Sequence, residues 1–447
     1  MIGTSAVVTS AVVTNARILT FDDANRVIES GSVEIRADGS IGAVGKSGRA
    51  LPPGTEVVDA GGRLLMPALI NCHTHLYSTL ARGITLPGAP PRNFPQILKR
   101  LWWRLDCTLN EEDVYYSALV GLIDSAKCGV GTLIDHHSSP NACAGSLDRI
   151  AQAFTEVGLR GALCYETSDR NGASKAEEAI RENVRFLERT AAGAPGGLLG
   201  ASFGLHAAFT LSDRTLRQCL EAKPAGAGFH THVAEGLCDA GAVRRLADLG
   251  VLDGRTLAAH CLHVDAREIG TLARLGVNAI HNPQSNCNNA VGTARLLELM
   301  RRGVAAGLGS DGYSPRMWDE FKTAFHLQKL RTGDPRVGYA EAYAAAFVNN
   351  REIVRKVWGM DVGRIVRGAR ADLILVDYFP PTPLRADNLF GHLLFGIANA
   401  PLDALMVNGR FIVQNGHCVT LDERAVAEKA SAQARSLWRR FENSCKA

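Results

Sequence analysis

Short apolar runs alternate with longer amphipathic stretches between about Leu64 and Leu308. The amphipathic stretches are roughly 10 to 18 residues long, a rhythm typical of β/α units built around a parallel sheet. Eight strands are predicted, over residues 64–71, 131–135, 160–165, 199–205, 228–231, 256–259, 277–280 and 304–309. Eight strands close a barrel, whereas doubly wound sheets usually have about five or six. The pattern therefore predicts an α/β fold with a (β/α)8 TIM-like barrel over residues 66–361.

Both flanks of this region have β character without interleaved helices. Before about Leu65, β-like runs at 11–19, 33–35 and 56–58 are separated by Asp-Gly and Gly-Gly turn signals. After Gly359, such runs recur at 364–366, 372–376, 404–407 and 410–413, followed by a surface-helix pattern at 423–441. The pattern alone leaves open whether the flanks are two caps or two halves of one domain. Because two or three strands alone are marginally stable in water, we expect residues 1–65 and 362–447 to form one composite β-sandwich.

The composition and charge of the chain mainly exclude classes of partner. The 447 residues include 49 Lys and Arg against 45 Asp and Glu, a formal charge of +4 without a basic tail. Neither nucleic acid nor a membrane is therefore an expected partner. No uncharged apolar run reaches the roughly 18 to 20 residues that span a bilayer, and residues 1–14 lack the basic start of a secretory signal. We expect a cytoplasmic protein with reduced cysteines.

The histidines are concentrated where a barrel would place its active site. Of 13 histidines, 11 lie between His73 and His326. Nine of these follow the ends of predicted strands: His73, His75, His136, His137, His206, His232, His260, His263 and His281. Because the carboxyl ends of barrel strands share one face, these side chains are predicted to converge. In His73-Thr74-His75, alternate residues project to the same side, so two imidazoles can reach one ion.

Five motifs follow five of the predicted strands and form a recognisable set. They are His73-Thr74-His75, His232-Val233-Ala234-Glu235, Ala259-His260-Cys261-Leu262-His263, His281-Asn282-Pro283-Gln284-Ser285-Asn286 and Ser310-Asp311-Gly312. As a set they resemble the metal-dependent amidohydrolase superfamily, and within it the cytosine deaminase/chlorohydrolase-type aminohydrolases. The resemblance includes residues 363–373, which are similar to the strand that returns to that family's composite β-sandwich. A finer resemblance, to the selenium-metabolism-associated SsnA branch, rests on residues 101–106, 111–118 and 135–140.

The resemblance implies one divalent metal ion and assigns its ligands as His73, His75, His232 and Asp311. Zinc is the expected ion, and iron(II) is also compatible with imidazoles and a carboxylate. An ion with an open coordination position lowers the pKa of a bound water, which then becomes a nucleophile. Three catalytic residues are also implied. Glu235 would carry a proton from that water to the substrate and the leaving group, His260 would orient the nucleophile or polarise the attacked centre, and Asp311 would accept the water proton.

The predicted substrate contacts are His206, His136, Asn282, Ser285, Asn286 and Trp103. For His206 a structural role stays open, and the polar residues of the loop at 282–286 could instead cap the following helix. Only one of His136 and His137 can face inward. Of the remaining histidines, His263 and His281 are expected either to pack in the core or to support the ligands from behind, and His230 is expected to point away from His232. Trp103 belongs to the segment 82–110, which we expect to be a lid or a subunit contact.

Departures from related families narrow the function further. Guanine deaminases carry Arg-Phe where this chain has His206-Ala207, which disfavours guanine. The fourth strand lacks the lysine whose carbamate bridges two metals in dihydropyrimidinases, which favours a mononuclear site. The leading prediction is deamination of a small nitrogen-rich heterocycle such as an oxidised purine, a pterin or a triazine. Alternatives are dechlorination or cyclic amide hydrolysis by the same site and, from another class, a non-catalytic scaffold. A homo-oligomer, most simply a homodimer, is expected.

Overall fold

The structure is a computed structural model of the chain that describes residues 11–46, 54–193 and 197–444. In these ranges the strands are β1 (Ala11–Leu19), β2 (Val27–Ile35), β3 (Ile41–Lys46), β4 (Glu56–Asp59), β5 (Leu64–Pro67), β6 (Leu69–Thr74), β7 (Val130–His137), β8 (Arg160–Tyr165), β9 (Leu199–Ala201), β10 (Phe203–Ala207), β11 (Phe229–Val233), β12 (Leu257–His260), β13 (Asn278–His281), β14 (Ala305–Leu308), β15 (Leu373–Val376), β16 (Leu402–Val407), β17 (Arg410–Gln414) and β18 (His417–Cys418). Residues 1–10 and 47–53 of the N-terminal flank lie outside the described residues.

The helices are α1 (Phe94–Ile97), α2 (Trp103–Thr108), α3 (Glu111–Lys127), α4 (Ser146–Val157), α5 (Ala173–Ala191), α6 (Asp213–Ala222), α7 (Ala242–Asp248), α8 (Ala266–Leu275), α9 (Pro283–Asn288), α10 (Leu296–Arg301), α11 (Met317–Thr332), α12 (Tyr339–Tyr343), α13 (Asn350–Trp358), α14 (Leu389–Phe395) and α15 (Glu423–Ser444). A π-helical turn, Leu98–Trp102, joins α1 to α2. In the described part of the chain, no helix has both the length and the apolar character needed to cross a membrane.

One nine-stranded sheet combines strands from both ends of the chain. Its order is β18-β17-β16-β15-β5-β1-β2-β3, with β4 paired to β1. The two flanks meet where β15 pairs antiparallel with β5, in a register that sets Leu373 opposite Pro67 and Val376 opposite Leu64. Both strands are apolar and buried throughout. The N-terminal and C-terminal flanks therefore share one sheet and one apolar core.

Two parallel sheets carry the intervening helices. One has the order β6-β7-β8-β9 and the other β10-β11-β12-β13-β14. Isolated parallel bridges connect the two sheets at both edges, pairing Thr167 with Leu205 and Thr74 with Asp311. The carboxyl ends of both sets of strands consequently point the same way around a shared interior.

A buried ion pair joins the parallel strands to the composite sheet. Arg160 begins β8 and donates from Nε to Asp372 Oδ2 at 2.7 Å and from Nη2 to Asp372 Oδ1 at 3.1 Å. The backbone N–H of Asn408 also donates to Asp372 Oδ1 at 2.7 Å. Both charged side chains are almost fully buried, so each satisfies the other in a site that water does not reach.

The first predicted strand, 64–71, is wrong as a single element. The structure divides it at Ala68 into β5, which belongs to the composite sheet, and β6, which begins the parallel sheet. The backbone N–H of Ala68 donates to Asp372 O at 2.9 Å, so the chain leaves one sheet as it enters the other. The sequence hides this change because both strands are buried and no polar residue separates them.

A second correction concerns the predicted strand at 364–366, which is a turn. Gly363 and Gly368 have φ values of 77° and 90°, in the left-handed region that suits glycine, and they bracket a bend instead of a ladder. Ile365 N–H donates to Thr20 O at 2.7 Å. The remaining flank strands agree within a few residues, except that the predicted strand 33–35 is only the end of the longer strand β2. The turn between β16 and β17 has positive φ at both Asn408 and Gly409, as a tight hairpin requires.

Candidate metal centre and active site

Each predicted metal ligand lies at or just beyond the carboxyl end of a parallel strand. His73 ends β6 with Thr74, His75 follows, His232 lies in β11, and Asp311 follows β14. The chain after β14 runs close to β6, because Asp311 N–H donates to His73 O at 2.9 Å. A Cβ atom on Gly309 would lie 2.8 Å from the backbone nitrogen of His73. Only glycine permits this approach, which brings Asp311 to the histidines.

The backbone is strained at the same strand ends. Ala234, His260, Cys261 and Asp311 have φ values of 49°, 74°, 49° and 56°, in the left-handed region that non-glycine residues rarely adopt. Such conformations persist where the surrounding structure holds them, and they cluster at functional sites. The strained residues therefore lie at the ends of β11, β12 and β14, next to the predicted ligands and catalytic residues.

The four predicted ligands converge on one point. His75 Nε2 lies 3.1 Å from His232 Nε2 and 3.0 Å from Asp311 Oδ1. His73 Nε2 lies 3.7 Å from the same Asp311 oxygen. Asp311 Oδ1 is therefore the common neighbour of His73 and His75, and His75 Nε2 is the common neighbour of Asp311 and His232.

The opposite ring nitrogens explain why Nε2 is the atom presented. His75 donates from Nδ1 to the carbonyl of His136 at 2.6 Å, and His232 donates from Nδ1 to the carbonyl of His206 at 2.7 Å. A carbonyl only accepts, so in the neutral ring each Nε2 keeps a free lone pair. A hydrogen bond on the other nitrogen is the usual way in which a protein orients a metal-binding histidine.

These residues fit a divalent cation. His73 Nε2 and His260 Nε2 are buried and have no hydrogen-bond partner among the described residues, and an ion between the ligands would satisfy His73. Imidazole nitrogens with one carboxylate suit zinc or iron(II). Within the described ranges, three groups of side chains have ligand atoms within 4.8 Å of one another: His73, His232, His260 and Asp311; His75, His136, Glu166 and His232; and His136, Cys164 and His230. The first group contains three of the four predicted ligands, with His260 in place of His75, and His75 shares the second group with His232.

Burial and charge determine which ligand nitrogens are free. Burial lowers the pKa of His73 to about 3 and holds the pKa of His232 well below its usual range. Burial also acts on His75, but the hydrogen bond and the charge of Asp311 outweigh it and raise the pKa of His75 to about 9. A cation beside Asp311 would therefore displace the proton that His75 otherwise holds.

Glu235 lies beside this cluster and is suited to carry a proton. Its Oε1 accepts a hydrogen bond from Asn289 Nδ2 at 3.2 Å, and its Oε2 lies 3.6 Å from His260 Nε2. Burial raises the pKa of Glu235 to about 7, with His260 opposing the shift and Asp311 adding to it. A carboxyl group with a pKa near neutrality can both accept and release a proton.

His260 and Asp311 are each held by a residue of α9 or its N-cap turn. His260 donates from Nδ1 to Asn286 Oδ1 at 2.8 Å, and Ser285 donates from Oγ to Asp311 Oδ2 at 2.5 Å. Asn282 Nδ2 lies 3.5 Å from His260 Nδ1. Asn286 thus orients His260 from behind.

A cavity of about 760 Å³, measured out to its open mouth, lies over the cluster. Trp103, His206 and Ser285 line it, together with His75, His232, Glu235 and Asp311. Its aromatic side has Trp103 and Phe209, whose ring centroids are 6.5 Å apart.

Three of the predicted substrate contacts are not among the cavity-lining residues, namely His136, Asn282 and Asn286. His136 points inward but lies beneath the cluster, with Nδ1 3.1 Å from Glu166 Oε1 and Nε2 3.1 Å from the carbonyl of His230. His137 points the other way, where its Nε2 lies 2.8 Å from Ser139 Oγ.

The expectation that His230 points away from His232 is wrong. Residues two apart on a strand project to the same face, so His230 shares the interior with His232. His230 is completely buried, and its Nε2 lies 2.8 Å from His73 Nδ1. His281 and His263 lie outside the ligand cluster, with His263 Nε2 donating to Val291 O at 2.9 Å.

Sequence reasoning missed a buried group of charged residues on the cavity wall. Arg170 donates from Nη1 to Asp106 Oδ2 and from Nη2 to Glu166 Oε2, both at 3.2 Å, and its guanidinium lies over the Trp103 ring. Burial raises the pKa of Asp106 to about 7. Glu166 follows the end of β8, so the positional argument that found the histidines would also have found it.

The chain matches the model of the Amidohydrolase family over residues 64–412. It is 32% identical to a 5-methylthioadenosine/S-adenosylhomocysteine deaminase of Desulforudis audaxviator, over 86% of this chain and 90% of that protein. It is 31% identical to a 5'-deoxyadenosine deaminase of Methanosarcina mazei, over 95% of this chain and 98% of that protein.

A solved structure, an adenosine deaminase from Xanthomonas campestris with bound zinc, shares the fold with a TM-score of 0.83. That alignment has 21% identity and covers 97% of this chain and 99% of the other. The finer resemblance to the SsnA branch stays a prediction. The chain belongs to the amidohydrolase family of metal-dependent enzymes and is a hydrolase that acts on C–N bonds.

Proposed function

We propose that the protein uses one divalent metal ion to deaminate a nitrogen-rich heterocycle, and that aminopurine nucleosides are the first substrate class to test. The observation that carries this proposal is the meeting of His73, His75 and His232 with the Asp311 carboxylate, beside Glu235 and at the base of an open cavity. The two bridges between the parallel sheets also support a closed (β/α)8 barrel as the scaffold.

The proposed ligands are His73, His75, His232 and Asp311, with zinc as the first choice of ion and iron(II) as the second. When bound there, such an ion supplies Lewis acidity, which makes a water molecule a usable nucleophile near neutral pH. The chain contributes the rest. Asp311 is held by Ser285 Oγ, and its carboxylate can accept a proton at the Oδ atoms that face the histidines.

Glu235 is proposed to move protons between water, ring and leaving group. Its pKa of about 7 lets it take a proton at one step and return it at the next. Asn289 fixes one of its oxygens, and the other faces His260, which Asn286 holds in turn. An electron-poor ring carbon placed between Glu235 and the ligand cluster could then exchange its amino group for oxygen, with ammonia released.

The cavity wall suits a flat ring with a polar appendage. Trp103 and Phe209 offer aromatic surface on which a heterocycle can stack. Asp106 Oδ1 is buried without a hydrogen-bond partner among the described residues, so it can accept a hydrogen bond from a ligand hydroxyl. Relatives whose names specify adenosine-type substrates agree with such a shape.

Ammonia release is the decisive assay. Purified enzyme supplied with zinc or iron(II) should be incubated with adenosine-type nucleosides, aminopterins, oxidised aminopurines and aminotriazines, and Glu235→Gln should be assayed as the matched control. We expect ammonia from at least one class with the wild-type enzyme and little from the variant. Chloride release from a chlorotriazine without ammonia from any amine would instead favour dechlorination.

Self-association and a cytoplasmic location are proposals from the sequence. Tyr313, which lines the cavity, is an exposed large apolar side chain that a second copy could cover. Light scattering of the purified chain tests this proposal, and a monomer at all concentrations would contradict it.

A further inference from the structure

The three histidine ligands proposed above are not held in the same way. His75 and His232 are oriented by backbone carbonyls, those of His136 and His206. No substitution removes a backbone carbonyl. His73 is different, because the partner of its Nδ1 is the side chain of another residue, His230, at 2.8 Å.

We propose that His230 is a positioning residue that holds His73 as the Nδ1–H tautomer and aims its Nε2 at the metal. This inference rests on the metal-dependent function proposed above. In this arrangement His73 donates from Nδ1 to His230 Nε2, and the lone pair of His73 remains on Nε2. That atom is buried and has no hydrogen-bond partner in the described ranges of the chain.

The direction of the hydrogen bond follows from the groups behind His230. With its Nε2 accepting, neutral His230 carries its proton on Nδ1, which lies 3.7 Å from Cys164 Sγ. The Cys164 thiol in turn donates to the carbonyl of Asp135 at 3.6 Å. Because a carbonyl only accepts, the hydrogen bonds run in one direction. His73 donates to His230, His230 donates to Cys164, and Cys164 donates to Asp135 O, so the lone pair of His73 Nε2 stays free.

Burial makes this chain of hydrogen bonds rigid. His73, His230 and Cys164 are all fully buried, so water cannot replace a missing partner. The rings of His73 and His230 meet edge to face with centroids 4.9 Å apart, and the ring of His136 lies 4.7 Å from that of His230. His230 therefore has two roles that an experiment must separate. It fills space, and its Nε2 accepts a hydrogen bond from His73 Nδ1.

Two amide variants of similar size separate these roles. In His230→Gln the side-chain oxygen can reach the position of the ring Nε2 and accept from His73. In His230→Asn the shorter amide reaches only the position of Nδ1, near Cys164. His230→Leu fills space without any acceptor.

The measurement is the dissociation constant for Co²⁺ alone, determined by chelator competition on metal-free protein, with the visible spectrum of the Co²⁺ form as a second readout. We expect His230→Gln to bind Co²⁺ as the wild type does. His230→Asn and His230→Leu should bind about 10- to 100-fold more weakly, the usual cost of losing a hydrogen-bond partner behind a metal ligand. Their Co²⁺ spectra should also change, because His73 is no longer fixed. Circular dichroism and thermal unfolding of the metal-free proteins establish that each variant folds.

Wild-type affinity in all three variants would overturn the proposal, and so would an equal loss in Gln and Asn, which would assign His230 a packing role. If the Leu variant does not fold, the comparison of Gln with Asn decides. If none of the variants folds, nitrogen-15 shifts of the wild-type imidazoles decide, because a His73 protonated on Nε2 contradicts the proposal and a His73 protonated on Nδ1 supports it.

These outcomes are distinct from those of the proposed function. Co²⁺ binding with the predicted order of variants, but no ammonia from any heterocycle, would contradict the deaminase proposal and leave the role of His230 intact. Ammonia release together with equal Co²⁺ affinities in all variants would support the deaminase proposal and contradict the role of His230.

Discussion

The Oδ1 atom of Asp311 lies 3.0 Å from Nε2 of His75, although the two residues follow the last and the first of the parallel strands. The contact depends on the bridge between Thr74 and Asp311, which brings the end of β14 beside β6. The charge of Asp311 also determines the protonation of His75, because Asp311 raises the pKa of His75. The pKa of Asp311 itself is held well below its usual range. A cation is the natural partner for this carboxylate.

Asp311→Asn should weaken both metal binding and turnover. The amide keeps the shape but has no negative charge and only one acceptor oxygen. Since losing an outer hydrogen-bond partner alone costs about 10- to 100-fold in affinity, the loss of a charged ligand should exceed about 100-fold. Chelator competition measures the affinity. Ser285→Ala, which removes only the hydrogen bond to Asp311, is the matched control and should have a smaller effect; equal affinities for Asp311→Asn and the wild type would remove Asp311 from the ligand set.

Glu235→Gln should leave the metal bound and lower turnover by about 10²- to 10⁴-fold, because the amide cannot carry a proton. Metal content and steady-state rates on an active substrate test this prediction. The exposed Glu428 on α15 provides a matched control, since Glu428→Gln should change neither quantity. A Glu235→Gln enzyme with a near-normal rate would show that another group moves the proton.

Arg160→Met should destabilise the fold without altering the ligands. It leaves Asp372 buried with only the Asn408 N–H as a partner, and breaking a buried ion pair typically costs about 3–5 kcal/mol. Arg424→Met, which breaks an exposed pair with Glu428, should cost at most about 1 kcal/mol. Denaturant unfolding of both variants tests the contrast. Similar stabilities would mean that the junction between the two kinds of sheet does not depend on this pair.

Glu320 should make the protein less stable as pH rises. Burial raises its pKa well above the usual range, and among the described residues its Oε2 accepts one hydrogen bond, from the backbone N–H of Gln284 at 3.0 Å. The folded state therefore keeps a proton that the unfolded chain releases above about pH 4.5, so stability falls as pH increases through this window. Glu320→Gln removes this dependence. The free energy of unfolding of the variant minus that of the wild type should therefore be larger at pH 8 than at pH 5. The same difference at both pH values would contradict the assignment.

Much of the architecture could be predicted because periodicity and turn residues are local signals. Asn110 and Asp113, for example, form the capping box that starts α3. The division at Ala68 could not be found, because β5 and β6 are equally apolar and only their partners differ. The residues of a buried strand do not indicate which distant strand it pairs with.

The candidate site was predicted where strand ends alone determine position. The four proposed ligands and Glu235 lie together for that reason. Asn282 and Asn286 were harder to assign, because a polar residue after a strand can face either the cavity or the ring behind it, and packing of α9 turns both toward His260. Arg170 and Asp106 come from a loop and from α2, so their meeting depends on tertiary structure.

The metal content of the purified chain tests the central claim most directly. After expression with added zinc or iron, elemental analysis should give about one divalent ion per chain, as a mononuclear site of this ligand set requires. No bound ion, or two ions per chain at full occupancy, would contradict the site formed by His73, His75, His232 and Asp311.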